Sequence, residues 1–337
     1  MSTTVAAIKP LTKAAPKSAE DFANKAPVRR AITPPKAGRV KSGDDPGALG
    51  LKLLAFGAAG TGKTLTLAHA LNMGYKVFTL ITDIGGSGNL TVRNWMRNVF
   101  KNPEALKNLR ELELKSYQEV DEFLKDPTIY YPEIYDWDPD FIAWDSFSGF
   151  QQIDLQQFVG DMTPQRSEGN TKGVSEQRDS GLMMDQQDWG MVRNATVRMM
   201  DKFMALNNPV TGKVWHKIVM CHENSRVKSD QSGVTVRDIK EPLLQGAGGK
   251  IVVGAFDLIL RTYAKTAKDD DETSDGNGRS YWYTIEPGQN VIAKNRGFQI
   301  PANMPGNFTS LWESLAEQAG IKRGAVDVNL IKKEEAE

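Results

Sequence analysis

Eight consecutive residues, Gly57-Ala58-Ala59-Gly60-Thr61-Gly62-Lys63-Thr64, carry the strongest chemical signal in the chain. Three glycines at this spacing let backbone N–H groups turn inward around an anion. The lysine that follows supplies a mobile ammonium, and the threonine hydroxyl can ligate a hard cation. The implied ligand is a nucleoside triphosphate, ATP with Mg2+, its phosphates cradled by the loop and reached by Lys63, its magnesium held by Thr64. The loop lies between an apolar run, Leu51–Phe56, and a helical stretch from Thr64 to Met73 that Gly74 closes. A strand before the loop and a helix after it are what phosphate capture requires; a plain glycine-rich turn needs neither.

Asp145 is the second candidate. It closes the apolar run Phe141-Ile142-Ala143-Trp144, and in parallel sheets ligands bind beyond the carboxyl ends of the strands. That position puts its carboxylate near the magnesium; the plainer alternative is an aspartate capping the helix that follows. Helicase-like, AAA+ and packaging-motor ATPases usually carry a glutamate as catalytic base at the next position. Here that residue is Ser146, so the base must come from elsewhere. Cys221, the single cysteine, stands beside His222; two adjacent residues are not a metal ligand set, and a packed strand cysteine is the expected reading.

At these positions the sequence resembles the RecA core. The metal-binding strand of that family also ends in Asp-Ser, as Phe141–Ser146 does here. The resemblance implies an α/β fold with a largely parallel central sheet, helices on both faces and a strand-rich C-terminal part. It implies a catalytic carboxylate at the end of the strand after the first helix, where this chain has Asp83 in place of the family's glutamate; the alternative is an aspartate that caps its loop. It implies a polar sensor of the terminal phosphate at the end of a later strand, where His222 replaces the family's glutamine; otherwise His222 is structural. Gly248-Gly249-Lys250, leading into Ala255–Arg261, is similar to the Gly-Gly segment after the second RecA DNA loop. Lys294-Asn295-Arg296 is similar to the segment whose two cations reach a neighbouring subunit's ATP; the alternative is a pair of surface cations. Compact bacteriophage RecA-core ATPases, nucleotide-binding AAA-domain proteins acting in single-strand annealing and recombination, share the His-Glu after the sensor strand, the Gln187-Asp188-Trp189-Gly190 lead-in and Lys294-Asn295-Arg296. The resemblance spans roughly residues 50–318.

The elements that position these residues follow from patterning. The chain has 337 residues, enough for one large domain or two small ones, with 40% hydrophobic and 25% charged residues, ordinary for a soluble protein. No apolar run approaches the roughly 18 residues needed to span a bilayer, Met1–Lys13 contains no secretion signal, and one cysteine suits a reducing cytoplasm, that of a host cell if a phage encodes the chain. Residues 1–48 read as a disordered basic arm rich in Ala, Pro and Lys, residues 49–320 as the ATPase domain and residues 321–337 as a loose tail. Net charge is zero overall, while residues 1–50 hold nine Lys or Arg against four Asp or Glu. Strands are expected at Leu51–Phe56, Tyr75–Ile81, Glu111–Lys115, Phe141–Trp144, Lys217–Cys221, Phe256–Tyr263, Ser280–Glu286 and Asn290–Ala293. Helices are expected near Leu90–Phe100, Glu119–Lys125, Phe150–Val159, Trp189–Leu206 and Phe308–Ala319. Polar stretches fill Thr163–Asp188 and Glu223 to about Lys250, the second read as flexible.

The expected function is that of a slow ATPase, stimulated by DNA or by assembly, which forms a homo-oligomer (ring or filament) with ATP bound between subunits. Its expected partners are single-stranded DNA and phage recombination or replication proteins. The loops that would face DNA, Met162–Asp188 and Ser225–Gly246, are not strongly basic and lack stacking aromatics. Two rivals follow: a nucleotide-switched loader or regulator of a phage replication protein that does not touch DNA, and a small-molecule kinase. The second is disfavoured by the few arginines in residues 163–188, where a lid would need them.

Overall fold

The computed structural model describes residues 50–83, 88–151, 186–229, 235–244, 248–266, 279–288 and 290–321. The basic arm, the loop Met162–Asp185, the acidic stretch Asp269–Gly278 and the tail beyond Ile321 lie outside them, as do residues 152–159 of the helix expected from Phe150.

The chain opens with strand β1 (Lys52–Gly57), the phosphate loop and helix α1 (Leu65–Asn72). Strand β2 (Val77–Ile81), α2 (Gly88–Asn98), β3 (Leu109–Glu113), α3 (Tyr117–Lys125) and the single turn α4 (Ile134–Trp137) follow. Next come β4 (Phe141–Asp145), the short α5 (Phe147–Phe150) and the long α6 (Gln186–Ala205). The hairpin β5 (His216–Ser229) and β6 (Thr235–Pro242) leads to α7 (Gly248–Gly254). Strands β7 (Leu258–Thr266), β8 (Arg279–Thr284), β9 (Lys294–Asn295) and β10 (Asn303–Pro305), then α8 (Phe308–Gln318), complete the described chain.

The sheet runs β10-β8-β7-β1-β5-β4-β2-β3, with β6 on β5 and β9 on β7. From β3 to β7 all pairings along this path are parallel; β8 and β10 extend the edge antiparallel. Fully covered parallel strands read as unbroken apolar runs, which is why these segments stand out in the sequence. Alternation then sorts their side chains between two cores. Leu53, Ala55, Phe141, Ala143, Ile218 and Met220 pack beneath α1, α2 and α8. Leu54, Phe56, Ile142, Trp144, Val219 and Cys221 pack beneath α3, α5, α6 and α7. This is the α/β RecA-like arrangement the resemblance implies. Cys221 is a fully buried free thiol, pushed up to about 12 by burial.

Two expectations fail. The described parts of the stretch from Glu223 to Lys250 are largely regular: β5 continues well past Cys221 and pairs antiparallel with β6 from Glu223–Pro242 to Ser229–Thr235. A projecting two-strand ribbon satisfies its backbone by cross-strand bonding, so its side chains need not show the apolar alternation of a covered strand. Asn290–Ala293 is not a strand either. Val291 makes isolated bridges to Lys240 and Gly288, and pairing with β7 begins only at Lys294. The short strand β10 has no counterpart among the expected elements.

Two neutral histidines are built into the α1–α8 side. His216 Nδ1 accepts the Leu51 N–H at 3.0 Å, and its ring packs against Phe141 and Trp312. His69 Nδ1 lies 3.1 Å from Thr309 Oγ1, with the ring edge-on to Phe100. Desolvation lowers both to about 4 from the usual 6.5. The unfolded chain therefore binds more protons between these values, and stability falls as pH drops from 6.5 towards 4. Each ring is worth on the order of 2–3 kcal/mol across that window. Urea midpoints measured from pH 7 to pH 4 are expected to fall, and His216→Asn, which keeps an acceptor for Leu51, is expected to flatten the slope; an unchanged slope contradicts the assignment.

Candidate nucleotide site

The register of the sheet assembles the site. Gly57 pairs with His222 across β1–β5, and Ile81 pairs with Asp145 across β2–β4. The strand order β1-β5-β4-β2 therefore brings four groups to one edge: Gly57 with its loop, His222 where β5 leaves β1, Asp145 with Ser146, and Asp83 two residues beyond β2. Residues separated by up to 165 positions become neighbours through backbone pairing alone.

The loop itself shows the glycine geometry the sequence implies. Gly60 and Gly62 have φ of +72° and +88°, the left-handed region that side chains avoid. Gly57 is closed in by β7: a Cβ there would lie 2.3 Å from the Thr262 carbonyl oxygen and 2.5 Å from Thr61 Oγ1. Thr61 Oγ1 and Thr262 Oγ1 are 2.9 Å apart. Ala58, Ala59 and Gly60 are exposed. The N–H groups of Gly60, Thr61, Gly62, Lys63 and Thr64 meet no acceptor among the described residues, so an outside anion finds unfilled donors at the start of α1.

Lys63 is buried, and its Nζ donates to the carbonyl oxygens of Gly57 and Ala58, each at 2.9 Å. Desolvation lowers its pKa, opposed by Asp145, Cys221, Asp83 and Glu223. Thr64 stands at the N-cap of α1 but does not cap it; its hydroxyl donates to Asp145 Oδ2 at 3.1 Å. Burial raises the Asp145 pKa, with the Thr64 hydrogen bond and Lys63 opposing it and Asp83 adding to it. A hydroxyl and a carboxylate side by side form a hard oxygen pair suited to Mg2+, which keeps most of its other positions for water and phosphate. No group of three or more His, Cys, Asp or Glu placed to hold a metal ion occurs among the described residues; a magnesium held this way needs none.

The cap of α5 is Ser146, whose Oγ accepts the Gly149 N–H at 3.0 Å, which leaves Asp145 free of that duty. The same Oγ donates to Asp83 Oδ1 at 3.0 Å and lies 3.4 Å from His222 Nε2, itself 3.4 Å from Asp83 Oδ2. Burial pushes the Asp83 pKa up, but hydrogen bonds and charge from His222, with Ser146, outweigh it and leave it lowered. A cis peptide joins Asp145 to Ser146. Thr82 fastens it: its N–H donates to Asp145 O at 3.0 Å and its Oγ1 to Ser146 O at 2.9 Å. Trp144 Nε1 in turn donates to Thr82 Oγ1.

Lys294 and Arg296 are not brought to this edge. Lys294 pairs with Ile259 near the start of β7, at the amino-terminal end of the parallel strands. Lys294 Nζ and Arg296 Nη2 both donate to Gly254 O, and Arg296 also pairs with Asp257. Conversely, several residues at the site escaped sequence reasoning: Thr82, Thr262 and Tyr281, whose Cδ1 would lie 2.8 Å from a Cβ on Gly62. The polar Thr82 and Thr262 directly beside apolar strand runs were the available signal.

A family model described as an AAA domain matches residues 49–297. The chain belongs to that AAA-domain family. The match begins at the foot of β1 and ends just past Arg296, so it takes in all four groups of the site. The family is one of P-loop ATPases that typically bind ATP and Mg2+. No curated protein matches the chain. Among the described residues no helix is long and apolar enough to cross a membrane.

Gly57→Ala tests the loop packing. Its methyl group cannot fit against the Thr262 carbonyl without displacing β7 or the loop, a cost of about 1–3 kcal/mol. Calorimetry is expected to show weakened nucleotide binding together with a lower melting temperature; unchanged values for both refute the close approach.

Proposed function

We propose that this AAA-domain protein binds ATP with magnesium at Gly57–Thr64 and hydrolyses it slowly, with Asp83 as the base. In this reading the nucleotide state controls a hold on single-stranded DNA within a homo-oligomer, ring or filament, that serves phage recombination, annealing or replication. The observation that carries the catalytic part is the Asp83–Ser146–His222 contact set beside the phosphate loop.

Asp83 takes the role that glutamate at the position of Ser146 plays elsewhere. Ser146 and His222 orient its carboxylate, which accepts a proton from water as the water oxygen bonds to the terminal phosphorus and the bond to the leaving phosphate breaks. Lys63 exchanges its carbonyl partners for the β- and γ-phosphates, and the loop N–H groups hold their oxygens. Magnesium, held by Thr64 and Asp145, would neutralise phosphate charge. A carboxylate with lowered pKa is ionised at neutral pH but is a weak base, which accords with slow turnover. His222 touches Asp83 from β5, the strand that continues into the projecting hairpin. An imidazole that changes partners with the terminal phosphate can pass that state to the hairpin.

The placement of Lys294 and Arg296 at the far end of the sheet supports action in trans, since neither lies near its own loop. Cations supplied by a neighbour stabilise charge on the transferred phosphoryl group and tie hydrolysis to assembly.

Asp83→Asn is expected to lower kcat by about 10²-fold with ATP affinity retained, the signature of a lost base; equal loss of affinity refutes the role. Arg296→Ala is expected to spare ATP binding by the dilute chain but slow assembled turnover by about tenfold or more, read as ATPase rate against protein concentration. Loss of both together sinks the in-trans reading. ATPase rate with and without single-stranded DNA, with particle size measured alongside, tests the whole. A rate indifferent to DNA and to assembly leaves an ATPase without the proposed partners.

A further inference from the structure

We infer that the outer face of the β7–β8–β10 edge is a stacking platform for single-stranded nucleic acid. This rests on the proposed DNA-linked function and gives it a location away from the two loops that sequence reasoning favoured.

Pairing sets the face. Tyr263 is opposite Trp282, and Trp282 is opposite Pro305, so two aromatic rings and a proline stand in one row across three strands. Directly opposed residues of antiparallel strands share a face. One step along, Lys265 is opposite Ser280; on the other side Arg261 is opposite Thr284, and Thr284 is opposite Asn303. Lys265 Nζ lies 4.0 Å from the Trp282 ring centroid and 5.4 Å from that of Tyr263. The Trp282 indole N–H is satisfied by Ser280 Oγ at 3.1 Å, which fixes the ring under the Lys265 ammonium. Lys265, Asn303 and Pro305 are exposed, and Tyr263 and Trp282 are half-buried.

The alternate residues on the same strands turn inward. Tyr281 and Tyr283 join the α1–α8 core, whereas Trp282 between them belongs to neither core. Among the described residues, this outward tryptophan carries Lys265 over its ring and joins neither core cluster. Arg261 is held by Glu223 in a two-point ion pair, so its charge is already matched. Lys265 has no carboxylate within ion-pair distance among the described residues. The face therefore offers flat rings beside a cation, and its complement is a polyanion that carries flat rings: bases stack on the aromatics and phosphates pair with the ammonium.

The same two strands also touch the nucleotide loop. Thr262, next to Tyr263, bonds Thr61, and Tyr281, next to Trp282, packs against Gly62. Loop contact and platform thus alternate residue by residue along β7 and β8, so a shift of the loop on one side is felt on the other.

The test is fluorescence anisotropy of a labelled thirty-residue oligo-dT with the full chain, magnesium and a non-hydrolysable ATP analogue, over a range of salt. Trp282→Ala is expected to weaken binding by about tenfold or more, and Trp282→Phe to restore most of it. Lys265→Glu, at an exposed position that is safe for folding, is expected to weaken binding too. Lys265→Ala is expected to lower the slope of log K against log salt by about 0.7. Fluorescent ATP binding and sedimentation are run on each variant. If the wild type binds oligo-dT and the variants bind equally, the platform is wrong and the DNA reading stands. If the wild type binds no oligo-dT, both fall. A Trp282→Ala defect in ATP binding gives the face to the adenine base, and a change of assembly state without loss of DNA binding gives it to a second copy; either overturns the platform.

Discussion

Parallel pairing of β1, β5, β4 and β2 is the constraint on which this molecule depends. A parallel strand delivers its carboxyl end to the same edge as its neighbours, and the crossover helices between them carry the chain back over either face. Groups that must meet at a phosphate can therefore be supplied by segments far apart in sequence. One-residue slippage of β4 against β2 would turn Asp145 away and bring Ser146 into its place. Thr82 opposes such slippage: it holds the backbone of both residues, and Trp144, wedged in the opposite core, holds Thr82.

That edge concentrates partly buried charge. Lys63, Asp145 and Asp83 lie close together, and burial penalises each ionised form. They respond differently because their partners differ. Asp83 has two side-chain donors, which outweigh its burial, whereas Asp145 is fully buried with one donor and a carboxylate neighbour, and Lys63 and His222 do not make up the difference. The ammonium of Lys63 rests on two carbonyls rather than on either carboxylate. Elsewhere burial weakens a base outright: Lys217 is lowered to about 7 and donates to the Leu206 and Trp215 carbonyls.

Much of this was legible in the sequence. The glycine loop, its flanking elements and the buried strands announce themselves, because close phosphate approach demands glycine and two-sided burial demands unbroken apolar runs. Asp145 followed from its place at a strand end. The link between Asp83, Ser146 and His222 did not, because it depends on strand order, and no local pattern encodes which strand ends become neighbours. The β5–β6 ribbon was unreadable for a different reason: Asn224, Ser225 and Arg226 build a strand whose stability lies in backbone pairing. The Tyr263–Trp282–Pro305 row was hidden similarly, since it exists only across three strands.

β5 is one continuous strand, covered on both faces up to Cys221 and paired with β6 as a ribbon from Glu223 outward. His222 sits at the junction. The seven residues beyond it span about 23 Å, and the ribbon is tied down at its root: Glu223 pairs with Arg261 of β7, and the Lys240 backbone bonds Asn290 and Ile292. That root is a seam that joins the His222 junction to β7 and to the segment leading to Lys294.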